Sequence, residues 1–220
     1  MKVGDVGQML PIDRPGALRA RFAGVHDLVA AEVMDLTAAQ LDWQSDRWEW
    51  SRWSIRRQLG HMASCFYGWL CVRWGSVLYP DGLPAEHVAL ASMTPEERVE
   101  QIMRLDAAGL LERLDRAMGL ALEALDRETP RSLKEKRITV RIDAPWDFMA
   151  RAHAEGVDKD ADDPFRWHLT LEGTLRHTYF EVITHLYNIQ RLKRAQGMTT
   201  RVEVPFEGYW AQDDWDRSEP

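Results

Sequence analysis

Ile55, Leu59, Met62, Phe66 and Trp69 recur three and four residues apart, the spacing that lines side chains along one face of an α-helix. Comparable periodicity runs through four long segments. Each such segment must bury its apolar stripe, and a helical bundle buries all four at once. The expected fold is therefore all-α: a four-helix bundle with at least one long crossover. The ends of the segments are punctuated. The first spans about residues 14–34, with Asp13 as its N-cap. The second opens at Ser54 in "WSIRRQLGHMASCFYGWLCVRW". The third starts at "MTPEERVEQI", where Thr94 is an N-cap, Pro95 occupies N1 and Glu97 completes a capping box. It is expected to run unbroken through Leu105, Leu110, Leu114, Met118 and Leu122 to Thr129 and Pro130, with Gly109 and Gly119 as places to kink. The fourth covers about residues 170–196 and stops at Gly197, which suits the left-handed position after a helix.

Between the third and fourth segments lies an insert of another character, about residues 130–168. "KRITVRID" alternates Ile138, Val140 and Ile142 as a short strand would, and "HAEGVDKDADDPFRW" is acidic and rich in turn formers. A connection of that length inside a compact domain is usually functional or folds over a site. The tail, residues 198–220, is acidic and aromatic and would dock on the body or on a second subunit. No internal repeat appears, so the whole chain, 1–220, reads as a single helical-bundle domain.

Composition narrows the function classes. The net charge is −7, whereas proteins that grip phosphate backbones draw their affinity from clustered Lys and Arg, so nucleic acid is not the expected partner. The basic run "RLKRAQG" falls at a helix end, where cations complement the dipole. No segment is long and apolar enough to span a bilayer, and the start has no apolar leader core. Two cysteines, Cys65 and Cys71, make no disulfide framework. A cytoplasmic protein is expected.

"RHTYFEVITH" sets His177, Glu181 and His185 four residues apart. Such positions are separated by about 6 Å along a helix and about 40° around it. Glu181 and His185 can aim at one point. That point lies about 9 Å along the axis from His177, too far for an imidazole whose metal–nitrogen bond is about 2.1 Å. His177 is then a packing residue or the orienter of a ligand. The third ligand expected is His61, on the margin of the second helix's stripe. His61, Glu181 and His185 would form a two-histidine, one-carboxylate set with open positions, the pattern of a catalytic ion. Cys65, four residues after His61, could close the site, although a buried cysteine needs no ligand role. His26, His87, His153 and His168 are weaker candidates; His168 is expected to open the fourth helix near a pocket. Arg56, Arg57 and Arg176 lie close to the ligands in sequence and are candidates to bind an acidic substrate.

"WSIRRQLGHMA" and "LRHTYFEVITHLYNIQRLKRAQG" together resemble the second- and fourth-helix signatures of the DinB-like (YfiT-like) metal-binding four-helix-bundle superfamily. His61 and His185 match its ligand positions, and Gln190 and Gly197 its downstream pattern. Glu181 departs from the commoner histidine and is similar to the His, Glu, His set of the mycothiol-dependent maleylpyruvate isomerase branch. The resemblance implies a divalent metal, zinc or nickel, a low-molecular-weight thiol as possible cosubstrate, a small-molecule substrate, and a homodimer. It implies a metal-dependent enzyme of transfer, isomerisation or hydrolysis. The competing reading is a non-catalytic bundle that binds a small ligand or a partner protein, with the tryptophans of "WQSDRWEWSRW" (Trp43, Trp48, Trp50, Trp53) as its surface or as anchors of the second helix.

Overall fold

The computed structural model describes residues 16–142 and 147–220. In chain order the elements are α1 (Ala17–Val33), α2 (Ala38–Asp42), a 3₁₀ turn (Glu49–Arg52), α3 (Ile55–Phe66), a π-helical turn (Tyr67–Arg73), α4 (Gly75–Leu78), α5 (Ala85–Ala91), α6 (Pro95–Met103), α7 (Ala107–Arg127), α8 (Pro130–Glu135), β1 (Arg137–Arg141), α9 (Asp147–Ala152), β2 (Val157–Lys159), β3 (Arg166–Thr170), α10 (Leu171–Ala195) and a last 3₁₀ turn (Tyr209–Ala211).

Four of these form the bundle. α1 packs against α7 and α10, and α3 packs against the same two. α1 and α3 therefore sit diagonally, as do α7 and α10, and each diagonal step needs a long connection. The 3₁₀ turn and its tryptophans supply the first, and the insert supplies the second. The stripe of α3 meets the others through Ile55, Leu59, Met62 and Phe66, none of which exposes any surface. Each such burial is worth roughly 1.5–3 kcal/mol. Asp13, expected to cap α1, lies outside the described residues; the helix starts after Gly16 at φ 87°.

The long third helix is in fact two. Thr94 and Glu97 make the expected capping box at the start of α6, but α6 stops at Met103. Asp106 then accepts a hydrogen bond from the Gly109 amide at 2.9 Å and caps α7 afresh. A local side chain that satisfies a free amide competes with helix continuation, and the competition is won at Asp106 rather than at either glycine. The guanidinium of Arg56 collects the Leu105 carbonyl at 2.5 Å in the same break.

The second helix also changes character. After Phe66 its turn widens, and the Trp74 amide bonds the Trp69 carbonyl five residues back at 2.9 Å. Such π turns are rare and concentrate at functional sites.

The insert folds as an antiparallel three-stranded sheet of order β1-β3-β2. Ile138 faces Leu169 and Val140 faces Trp167 in its register. His168 thus belongs to β3 and not to the fourth helix; it contacts Thr139 Oγ1 at 3.0 Å. The real cap of α10 is Thr170, whose hydroxyl accepts from the Gly173 amide at 3.0 Å. A side chain at Gly173 would meet the Gly156 carbonyl oxygen at 2.7 Å, so the sheet can press on α10 only because glycine stands there.

The tail docks on its own body. Tyr187 stacks on Trp210 at 4.3 Å, and Arg191 lies between the rings of Trp50 and Tyr187 while donating to the Asp216 carbonyl at 2.9 Å. Glu32 of α1 accepts from Gln190 at 2.8 Å, from the amides of Arg201 and Val202 at 2.7 and 2.9 Å, and from Lys193. This buried knot ties α1, α10 and the tail together. Among the described residues no helix is long and apolar enough to cross a membrane.

Candidate metal centre

Three side chains from two bundle helices converge. His61 is presented by α3, while Glu181 and His185 stand one turn apart on α10. One ligand atom from each lies within 4.8 Å of the others. His61 Nε2 and His185 Nε2 are each 3.3 Å from the same oxygen, Oε2 of Glu181. That separation is long for a charge-assisted hydrogen bond. It is close to the edge of about 3.4 Å expected between two ligands of a tetrahedral ion with bonds near 2.1 Å. Two nitrogens and one carboxylate oxygen also suit a borderline divalent cation.

The surroundings fix these atoms in a form fit to ligate. The Nδ1 of His185 is hydrogen-bonded to Gln58 Oε1. An amide oxygen only accepts, so Nδ1 carries the proton and the lone pair of Nε2 points at Glu181. The Trp53 ring lies parallel to that of His185 at 6.1 Å and against His61 at 5.1 Å. Burial lowers the pKa of His185, which keeps its imidazole neutral as ligation requires. Burial alone would raise the Glu181 carboxyl, but the imidazoles of His185 and His61 beside it outweigh burial and hold it well below the usual carboxylate range.

Behind Glu181 sits a second layer. His177 Nδ1 is 3.8 Å from Glu181 Oε1 and 2.6 Å from the Tyr209 hydroxyl. That hydroxyl is also 3.2 Å from His153 Nε2. Burial pushes His177 down to about 4 and His153 down to about 3, so both are neutral at pH 7. Burial also raises Tyr209 well above its usual value. The phenol stays protonated, donating to one imidazole and accepting from the other. His177 thus supports the group from behind, where the axial reach of a helix puts it.

The triad opens into a cleft of about 650 Å³ lined by residues of α3, the π turn, α6, the insert and the tail. Its walls are largely apolar: Trp53, Trp69, Val99, Ile142, Met149 and Trp215. Glu181 is buried at the inner side, whereas His61 is one-third exposed.

No family model matches the chain, and no curated protein matches it. One solved structure does match: YfiT from Bacillus subtilis, described as a probable metal-dependent hydrolase with an unusual four-helix bundle topology. The likeness covers 89% of this chain and 95% of that chain, at a TM-score of 0.54 and 16% identity. The two chains share a fold.

The other residues singled out in the sequence scatter. Cys65 lines the cleft but is not one of the three groups that come together; burial and then the charge of Glu181 push its thiol well above the usual value. His26 meets the Leu111 carbonyl at 3.2 Å on the far helix pair. His87 packs on Tyr67. Arg56 pairs with Asp42 and Arg176 with Glu172, both away from the triad. Arg57 lines the cleft, where it pairs with Glu96. Of the tryptophans, Trp50 anchors the loop in the core and Trp53 covers the histidines. The sequence carried no expectation for Gln58 or Tyr209, which hold His185 and His177. Gln58 is three residues before His61, hence on the same helix face, and that spacing was the available signal.

Proposed function

We propose that the chain is a metal-dependent enzyme whose centre is a single divalent ion held by His61, Glu181 and His185. The observation that carries this is the shared approach of two imidazole nitrogens to one carboxylate oxygen at 3.3 Å. A bound ion of this kind supplies an activated water or thiol at neutral pH. The remaining work falls to the protein. Gln58 holds the tautomer of His185, Trp53 shields both imidazoles, and the His177–Tyr209 pair braces Glu181 from behind. The apolar walls keep bulk water off the reacting group and strengthen every polar contact made inside.

Hydrolysis is the reaction class we favour, because the chain shares its fold with a probable metal-dependent hydrolase. A low-molecular-weight thiol in place of water, with zinc or nickel as the ion, is the finer alternative drawn from the sequence resemblance. The test is metal analysis of protein purified without added ions, followed by ester and amide hydrolysis assays with and without mycothiol, bacillithiol or glutathione. About one zinc or nickel per chain with thiol-independent turnover supports hydrolysis. Turnover only with a thiol moves the assignment to transfer or isomerisation, and absence of metal overturns the proposal.

A further inference from the structure

On α10 the face that carries Glu181 and His185 continues to Asn188. From His185 that step is about 4.5 Å along the helix and about 60° around it. Asn188 lines the same cleft as the triad and is 8% exposed.

The two ends of its amide differ. Oδ1 accepts from Arg191 Nη2 at 2.5 Å. A guanidinium only donates, so this contact fixes which end of the amide is oxygen. Arg191 is itself held fast, over the rings of Trp50 and Tyr187 and on the carbonyls of Asp216 and Ser218 at 2.9 and 3.2 Å. Turning the amide over would set its N–H groups against a buried cation. The nitrogen, Nδ2, has no hydrogen-bond partner among the described residues. It is not one of the polar atoms sealed from solvent either, so it faces the open space of the cleft.

Neighbouring polar groups on the wall are engaged. Thr184 Oγ1 accepts from the Tyr209 amide at 2.9 Å, and Arg57 pairs with Glu96. Arg98, which meets Arg73 beside Gly68, donates to the carbonyls of Leu90 and Met93 and to Ser64. Asn188 offers a fixed N–H without an acceptor on a largely apolar wall.

We propose that Asn188 takes the carbonyl oxygen of the substrate, a neutral ester or amide with an apolar or aromatic body. One uncharged N–H matches one uncharged oxygen, whereas a carboxylate or phosphate set against it would leave a charge unmatched. A molecule that fills the cleft displaces water, and a donor that then meets no acceptor counts against it. Trp53, Trp69, Val99 and Met149 suit the body of such a substrate. The use of this contact in turnover rests on the metal-centre reading; the contact itself does not.

The test is calorimetric titration of the full-length protein with acetophenone and ethylbenzene, before and after treatment with a chelator. The first has a carbonyl where the second has a methylene, and the ratio of their affinities cancels changes in the apolar wall. Asn188→Asp keeps an acceptor for Arg191 but turns an oxygen to the cleft, and Asn188→Leu removes the polar group. Each is expected to lower the ratio about three- to tenfold, with or without metal. Circular dichroism checks folding, and Asn188→Asp carries the test should Asn188→Leu fail to fold. An unchanged ratio in either folded variant overturns the proposal, as does a parent protein that does not bind acetophenone. A ratio that drops in the parent on chelation assigns the carbonyl to the ion and likewise overturns it. A ratio that falls in the variants of a chain that purifies without metal leaves Asn188 standing and removes the metal reading.

Discussion

Gln58 and His185 are bonded side chain to side chain across the interface of α3 and α10. The bond joins the two helices that carry the three convergent groups, and it settles which nitrogen of His185 is free. Orientation of the imidazole, and not merely its presence, is built into the helix packing.

Replacing Gln58 by Leu removes that constraint without touching a ligand. Metal affinity is expected to fall about 10- to 100-fold, measured by competition with a chromophoric chelator. An affinity equal to that of the parent protein would show that the tautomer is set elsewhere.

Single substitutions of the triad separate ligands from their supports. His61→Ala, Glu181→Ala and His185→Ala should each purify with little or no metal, while His177→Ala keeps it near the parental level. Elemental analysis reads both. Metal lost in His177→Ala but kept in Glu181→Ala would reverse the assignment.

The Glu32 knot makes stability depend on pH. Burial alone would raise its carboxyl, but Lys193, the two tail amides and Gln190 together bring it below its ordinary 4.5. A carboxyl lowered by folding adds stability that is complete above pH 4.5 and is lost as pH falls through the folded value. Glu32→Gln leaves Lys193 buried beside a neutral group and should cost about 3–5 kcal/mol at pH 7. In urea unfolding the gap between variant and parent should shrink as pH drops below 4.5. A gap that stays constant down to pH 3 would mean that Glu32 is not the titrating group.

Arg191→Ala should loosen the tail. The variant loses the contacts to Trp50 and Tyr187 and the bonds to the carbonyls of Asp216 and Ser218. Limited proteolysis is expected to cut within residues 212–220 several times faster than in the parent. An unchanged cleavage pattern would show that the other contacts, among them Glu219 with Arg194 and Tyr187, hold the tail without Arg191.

The sequence by itself determined the helical stripes, the Thr94 box, the stop at Gly197 and the pairing of Glu181 with His185, because each depends on contacts within a few residues of chain. It failed at Asp106, where a local cap beat a continuing apolar period, and at His168, where pairing with β1 and β2 overrode proximity to a helix. Only the tertiary structure decided that α3 delivers His61 to the carboxylate on α10, that the tail closes on its own body, and that Arg73 and Arg98 meet beside Gly68. Those juxtapositions join residues far apart in the chain through direct helix packing and a π turn. No periodicity in the sequence encodes the direction in which two separated elements finally face each other.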